Sequence, residues 1–106
     1  MINIKYINLI RNKEIVGKCK LQQINNTDIW LENVLIYKQF RGYGYSTFLV
    51  TKAINVAKKM KIKNIFLHVK YDNYAAIKSY KNNKFKITRK NYDKNKLFGY
   101  TMTLIL

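Results

Sequence analysis

Proline does not occur in this sequence, and no repeat or linker-like stretch interrupts it, so nothing in its 106 residues marks a boundary between domains. A chain of this length is large enough for one core and too short for two, and residues 1–106 read as one domain. Cysteine occurs once, at Cys19, which excludes an intrachain disulfide and a thiolate-clustered metal and points to a reducing compartment. No stretch approaches the ~20 apolar residues needed to span a bilayer. Met1 to Ile10 mixes Asn and Lys with apolar residues and lacks the apolar block of a signal peptide. The expectation is a soluble, cytoplasmic protein without a membrane partner.

Acidic residues are scarce as well, five against 21 Lys and Arg, giving a formal net charge of +16. Such a surplus draws anionic partners and speeds their encounter without specifying a fold. Arginine is confined to Arg11, Arg41 and Arg89. Lysine is a point charge without the bidentate fork that reads bases, so the surplus argues against sequence-specific nucleic-acid recognition.

What is present is a chain that folds: 48% hydrophobic and 14% aromatic residues. Ile2 to Ile10 and Glu14 to Ile24 alternate as strands around an Asn12-Lys13 turn, and Asn25 to Asp28 makes the next turn. In a third strand, Ile29 to Tyr37, alternation puts Trp30, Glu32, Val34 and Ile36 on one face and Leu31, Asn33, Leu35 and Tyr37 on the other. From Tyr45 the period becomes helical, with Phe48, Leu49, Ala53, Val56, Ala57 and Met60 on the inner stripe. Ile65 to Val69 is a short strand. Asp72 or Asn73 caps a second helix from about Tyr74 to Asn82, with Ala76, Ile77 and Tyr80 inward. Phe85 to Thr88 and Phe98 to Leu106 close the chain as strands joined by the polar stretch Arg89 to Lys96. The order βββ-α-β-α-ββ is an α/β fold built on a mixed sheet, in which strand, loop, helix and strand form a right-handed crossover between parallel strands.

Arg41-Gly42-Tyr43-Gly44-Tyr45-Ser46 lies where the third strand gives way to the long helix. Two glycines let backbone approach a ligand closely, and the helix turns unpaired N–H groups toward the loop, an arrangement suited to phosphate. Ligands of such sheets lie beyond the carboxyl ends of the strands, where this loop sits.

From about Glu14 onward the chain resembles the GNAT family of acetyl-CoA-dependent N-acetyltransferases. The resemblance rests on Arg41, Gly42, Gly44 and Ser46, which follow the family's Arg/Gln-x-x-Gly-x-Gly/Ala loop with Ser in the last place. It rests also on Asn73, Ala76, Ile77 and Tyr80 in the next helix, and on Phe85, with Lys84 where the family has Gly. Leu67-His68-Val69 and Arg89-Lys90-Asn91-Tyr92 resemble segments of the ribosomal-protein alanine and protein N-terminal acetyltransferases. The usual first strand and helices of the family have no counterpart here, so the fold implied is a minimal one.

The resemblance implies acetyl-CoA as co-substrate, with no metal. Val34, Leu35 and Ile36 would hold the pantetheine by backbone, residues Arg41, Gly42, Tyr43, Gly44, Tyr45 and Ser46 the pyrophosphate, and Asn73 the cofactor from the second helix. Tyr80 matches the family's acid toward the leaving sulfur, though a core-packing ring is compatible with the same position. His68, the only histidine, and Glu32 are rival general bases, each against a purely structural alternative. An imidazole near pKa ~6.5 accepts a proton more readily from an α-amine near ~8 than from a lysine near ~10.4, which favours a protein N-terminus as acceptor. A small amine such as an amino sugar or polyamine is the first alternative; a cluster around Asp28 and Glu32 would attract a polycation despite the net charge. A catalytically weak CoA-binding or nucleic-acid-binding module is the second. Phe98 to Leu106 is apolar enough to pair across a homodimer if it lies at a sheet edge.

Overall fold

A computed structural model describes residues 3–106, so the first position of the earliest expected strand, Ile2, lies outside the described residues. The strands are β1 (Ile4–Arg11), β2 (Glu14–Gln23), β3 (Asp28–Ile36), β4 (Asn64–Lys70), β5 (Lys86–Asp93) and β6 (Lys96–Ile105). The helices are α1 (Tyr45–Lys59) and α2 (Tyr74–Asn82), and a short 3₁₀ turn at Lys38–Phe40 precedes α1. Among the described residues the six strands form one mixed sheet in the order β1-β2-β3-β4-β6-β5, in which only β3 and β4 run parallel. The expected element order and α/β class are those observed.

Opposed residues of paired strands share a face. Ile7, Cys19, Leu21, Leu31, Ile29, Ile65, Leu67 and Met102 fall together on one face by register, and all are buried there. The long helix covers it, its inner stripe being Leu49, Val50, Ala53, Ile54 and Ala57. That stripe is rotated from the expected one: Phe48 is 53% exposed, with the Arg11 guanidinium 5.1 Å from its ring. The other face carries Tyr6, Lys18, Lys20, Trp30, Glu32, Phe66, His68 and Thr101, and no helix of the described residues covers it.

β3 departs from simple alternation. Lys20 stands opposite Glu32 and Lys18 opposite Leu35, so three residues of β3 answer two of β2. Asn33 absorbs the extra residue at a positive φ of 54°, which its short polar side chain tolerates. The bulge therefore carries Leu35 onto the face of Trp30 and Glu32 and turns Ile36 to the face of Leu31, against the even alternation read from the sequence. Opposite it, Gly17 lies so close that a Cβ would meet Ile36 Cδ1 and the Leu35 carbonyl oxygen at 2.6 Å.

The last two strands also differ from expectation. Arg89 to Lys96 is no connection: β5 runs on to Asp93, and Lys94 and Asn95, both at positive φ (49° and 66°), turn directly into β6. Nor is β6 an edge. It pairs with β4 on one side and β5 on the other, leaving no free ladder for a dimer partner. The sheet edges are β1 and β5.

With few glycines, the chain turns its helix ends through lysines. After α2, Phe85 N–H reaches the Tyr80 carbonyl (3.0 Å) and Lys84 N–H the Lys81 carbonyl (2.9 Å), with Lys84 at φ 71°. This is a Schellman closure with lysine in the left-handed place that glycine ordinarily takes. The apolar contact that accompanies such a closure is here Tyr80 against Phe85, ring centroids 5.9 Å apart. Because a side chain in this conformation costs roughly 1 kcal/mol, Lys84→Gly should raise the unfolding free energy by about that amount and Lys84→Val should lower it, as measured by urea denaturation.

Candidate active site

The parallel pair is short. Asp28, Ile29 and Trp30 pair with Asn64, Ile65 and Phe66, and beyond that point β3 and β4 continue without pairing. The tied end is fixed by Asn64 Nδ2 donating to Asp28 Oδ1 (2.9 Å) and by the Lys63 and Asn64 amides donating to the Thr27 carbonyl (2.7 and 3.0 Å). Hydrogen bonds from Asn64 first, then Asn25 and Thr27, hold the Asp28 carboxyl below its usual range. Asp28 is thus a structural clasp about 13 Å along the strand from Glu32, and the acidic cluster considered for polycations does not form.

Two cavities meet at the open end. The first, about 540 Å³, lies between the end of β3, the loop before α1 and the start of α2. Its floor is Val34, Leu35 and Ile36, whose polar groups toward β4 have no strand partner. Arg41, Gly42, Gly44, Tyr45 and Ser46 form the loop wall. Gly44 caps α1 in the left-handed conformation (φ 76°) with no side-chain cap, and no acidic residue stands in the first turn. The leading N–H groups of a 15-residue helix are consequently left for an anion. Gly42 also has positive φ (88°), and a Cβ at either glycine would meet nothing within 4 Å. Arg41 Nε donates to the Ile36 carbonyl at 2.9 Å, tying the loop to the strand end.

The second cavity, about 570 Å³, opens on the uncovered sheet face and is lined by Trp30, Glu32, His68 and Lys70 among others. Val34, Asn73 and Tyr80 line both cavities, so the two adjoin where the parallel strands have separated. The Glu32 side chain is 40% exposed, but its Oε1 faces inward without a hydrogen-bond partner, with Lys20 Nζ 4.0 Å away. His68 is exposed, its ring stacked on Trp30 at 4.5 Å between centroids. Tyr80 is 6% exposed. Burial pushes its phenol up to about 12, and the nearby Cys19 adds in the same direction. Cys19 is itself pushed up to about 12 by burial, against the pull of the Lys52 ammonium.

A sheet that opens at one parallel pair, before a helix led by a glycine loop, is a specific arrangement, and the sequence profile of the acetyltransferase (GNAT) family matches residues 3–85. The chain belongs to the GNAT acetyltransferase family. Solved structures of GNAT-type proteins share its fold. A GNAT family acetyltransferase from Elizabethkingia anophelis with acetyl-CoA bound superposes with a TM-score of 0.80 at 16% identity, over 95% of this chain and 75% of that one. The Campylobacter jejuni N-acetyltransferase PseH in complex with acetyl-CoA gives 0.77 at 21% identity, over 96% and 67%. The ribosomal-protein alanine N-acetyltransferase from Escherichia coli gives 0.80 at 20% identity, over 96% and 68%. No curated protein sequence matches the chain.

The GNAT co-substrate acetyl-CoA suits the first cavity on this chain's own features: an uncapped helix start, two glycines at positive φ and an unpaired strand edge. Every residue expected at the cofactor lines that cavity except Tyr43, whose side chain stands 68% exposed and stacks on Tyr45. Asn73 caps α2, its Oδ1 accepting from the Ala76 amide at 3.3 Å. Glu32, His68 and Tyr80 come together at the second cavity. Sequence reading missed Phe40 and Ser79 on the first. Ser79 is buried, and its hydroxyl meets that of Ser46, joining α2 to the start of α1. A lone serine within the inward stripe of Ala76, Ile77 and Tyr80 was the available signal. Among the described residues no group of His, Cys, Asp or Glu converges to hold a metal, and no helix is long and apolar enough to cross a membrane.

Tyr80 and Cys19 both have folded-state values above their unfolded ones, 10.0 and 9.0. The stability they contribute is whole below about pH 9 and is lost as pH rises toward 12. Urea midpoints followed from pH 8 to pH 11.5 should fall steeply above pH 9. Tyr80→Phe should remove the part above pH 10, worth at most about 3 kcal/mol for a two-unit shift.

Proposed function

We propose that this chain transfers the acetyl group of acetyl-CoA to a primary amine, with a protein or peptide α-amine as the leading acceptor, by direct attack in a ternary complex. The observation that carries the reading is the adjacency of the two cavities where the parallel strands separate, with the Glu32 carboxylate lining the second.

Acetyl-CoA, when bound, supplies the activated acyl carbonyl and the leaving thiol. Residues 41–46 and the unpaired edge of β3 would hold and orient it. The Glu32 side chain is partly exposed to the second cavity, and its Oε1 has no hydrogen-bond partner within the chain, so it is free to receive an amine N–H. Glu32 and His68 are the candidate groups for taking the amine proton as the bond forms. Tyr80 keeps its proton to about pH 12 and remains a donor throughout the working range. With a thiol near ~8.5, full proton transfer from such a phenol is uphill, so Tyr80 serves chiefly by hydrogen bonding to charge developing on sulfur.

A protein acceptor is supported by the location of the second cavity on the uncovered sheet face, which leaves room for a bulky chain. The fold likeness to the ribosomal-protein alanine enzyme is consistent with it. The polyamine form of the small-amine reading is weakened by the engagement of Asp28 in its clasp, which leaves Glu32 without an acidic companion for a polycation.

Thiol release from acetyl-CoA against a peptide library and a panel of small amines tests the proposal. Peptides with free α-amines should turn over best, Glu32→Gln should lower kcat/KM about 100-fold, and Tyr80→Phe about 10-fold, with coenzyme A affinity unchanged. Coenzyme A binding with no turnover of any amine would favour a binding module instead.

A further inference from the structure

The imidazole of His68 is tied to a chain of side chains on the uncovered face. Asn91 Nδ2 donates to Thr101 Oγ1 at 3.1 Å, and Thr101 Oγ1 lies 3.2 Å from His68 Nδ1. Thr101, on the expected last strand, stands directly opposite His68 in the β4–β6 ladder, and Asn91 comes from the part of β5 that sequence reading treated as a connection. The ring's face is held independently by Trp30, stacked at 4.5 Å and 29°.

An amide nitrogen can only donate, so Asn91 occupies a lone pair of the Thr101 hydroxyl. The hydroxyl then has one hydrogen to give, and the acceptor within reach is His68 Nδ1. With Nδ1 accepting, the hydrogen of the neutral ring resides on Nε2. We propose that Asn91 and Thr101 are positioning residues that hold His68 as its Nε2–H tautomer, making it a hydrogen-bond donor to the acceptor substrate. In that state Nε2 has no lone pair to take a proton, and removal of the amine proton falls to Glu32. The assignment of roles rests on the acetyl-transfer reading above; the tautomer does not.

Because His68 is the only histidine, its ring nitrogens can be observed without ambiguity by long-range proton–nitrogen NMR on nitrogen-15-labelled protein. The expected spectrum at alkaline pH has a bare Nδ1 and a protonated Nε2. Thr101→Val should release the preference, Thr101→Ser should restore it, and Asn91→Asp, an acceptor that takes the hydroxyl hydrogen, should reverse it. In turnover, Thr101→Val should lower kcat/KM for the amine about 10-fold without changing KM for acetyl-CoA. His68→Gln, which mimics Nε2–H, should exceed His68→Asn by a similar factor. A wild-type ring protonated on Nδ1, or a preference unmoved by Thr101→Val, overturns the proposal even if amines are acetylated. The expected spectrum in a protein that acetylates no amine overturns the acetyl-transfer reading and upholds the tautomer.

Discussion

The site depends on one interrupted ladder. β3 and β4 pair over three residues and then separate, because the Asp28–Asn64 clasp ties one end while a bulge at Asn33 changes the course of β3 before the other. A continuous parallel pair would satisfy its own backbone groups and close the sheet between the two cavities. Separation instead leaves a polar strand edge that needs a partner and brings the two cavities side by side. Tyr80 lines both cavities from α2, set there by the Schellman turn and by Phe85.

Charge is distributed to the same end. A helix start with no acidic residue and no side-chain cap would be a defect in isolation, yet beside two glycines at positive φ it favours an anion. Among the described residues Lys20–Glu32 is the one ion pair, and at 4.0 Å it is loose. Glu32 is therefore held in a predominantly cationic protein without being neutralised by close contact. Its buried oxygen stays available to an incoming amine.

Much of this was legible in the residues. The glycine loop, the change of period at Tyr45, the Asn73 cap and the inward Tyr80 are local signals, and local physics places them correctly. The bulge was not legible, because residues 29–37 alternate well enough to hide one extra position, and an asparagine at positive φ carries no unmistakable mark. The β5–β6 hairpin was missed for a related reason. β5 is an edge strand with almost no buried residue, so it lacks apolar alternation, and its turn uses Lys94-Asn95 without glycine. That omission hid Asn91, and with it the Asn91–Thr101 contact, from the site and made β6 look like an edge. Phe48 was drawn inward by its hydrophobicity, whereas packing against β1 to β3 selected Val50 and Ile54.

Amide hydrogen exchange with and without coenzyme A tests the central claim most directly. Protection is predicted to rise at least about 10-fold at the β4-facing amides of Asn33 to Ile36 and at Gly42 to Ser46, while the edge strand Lys86 to Asp93 is unchanged. Coenzyme A that binds yet leaves both of the first two segments exchanging as before would contradict the account.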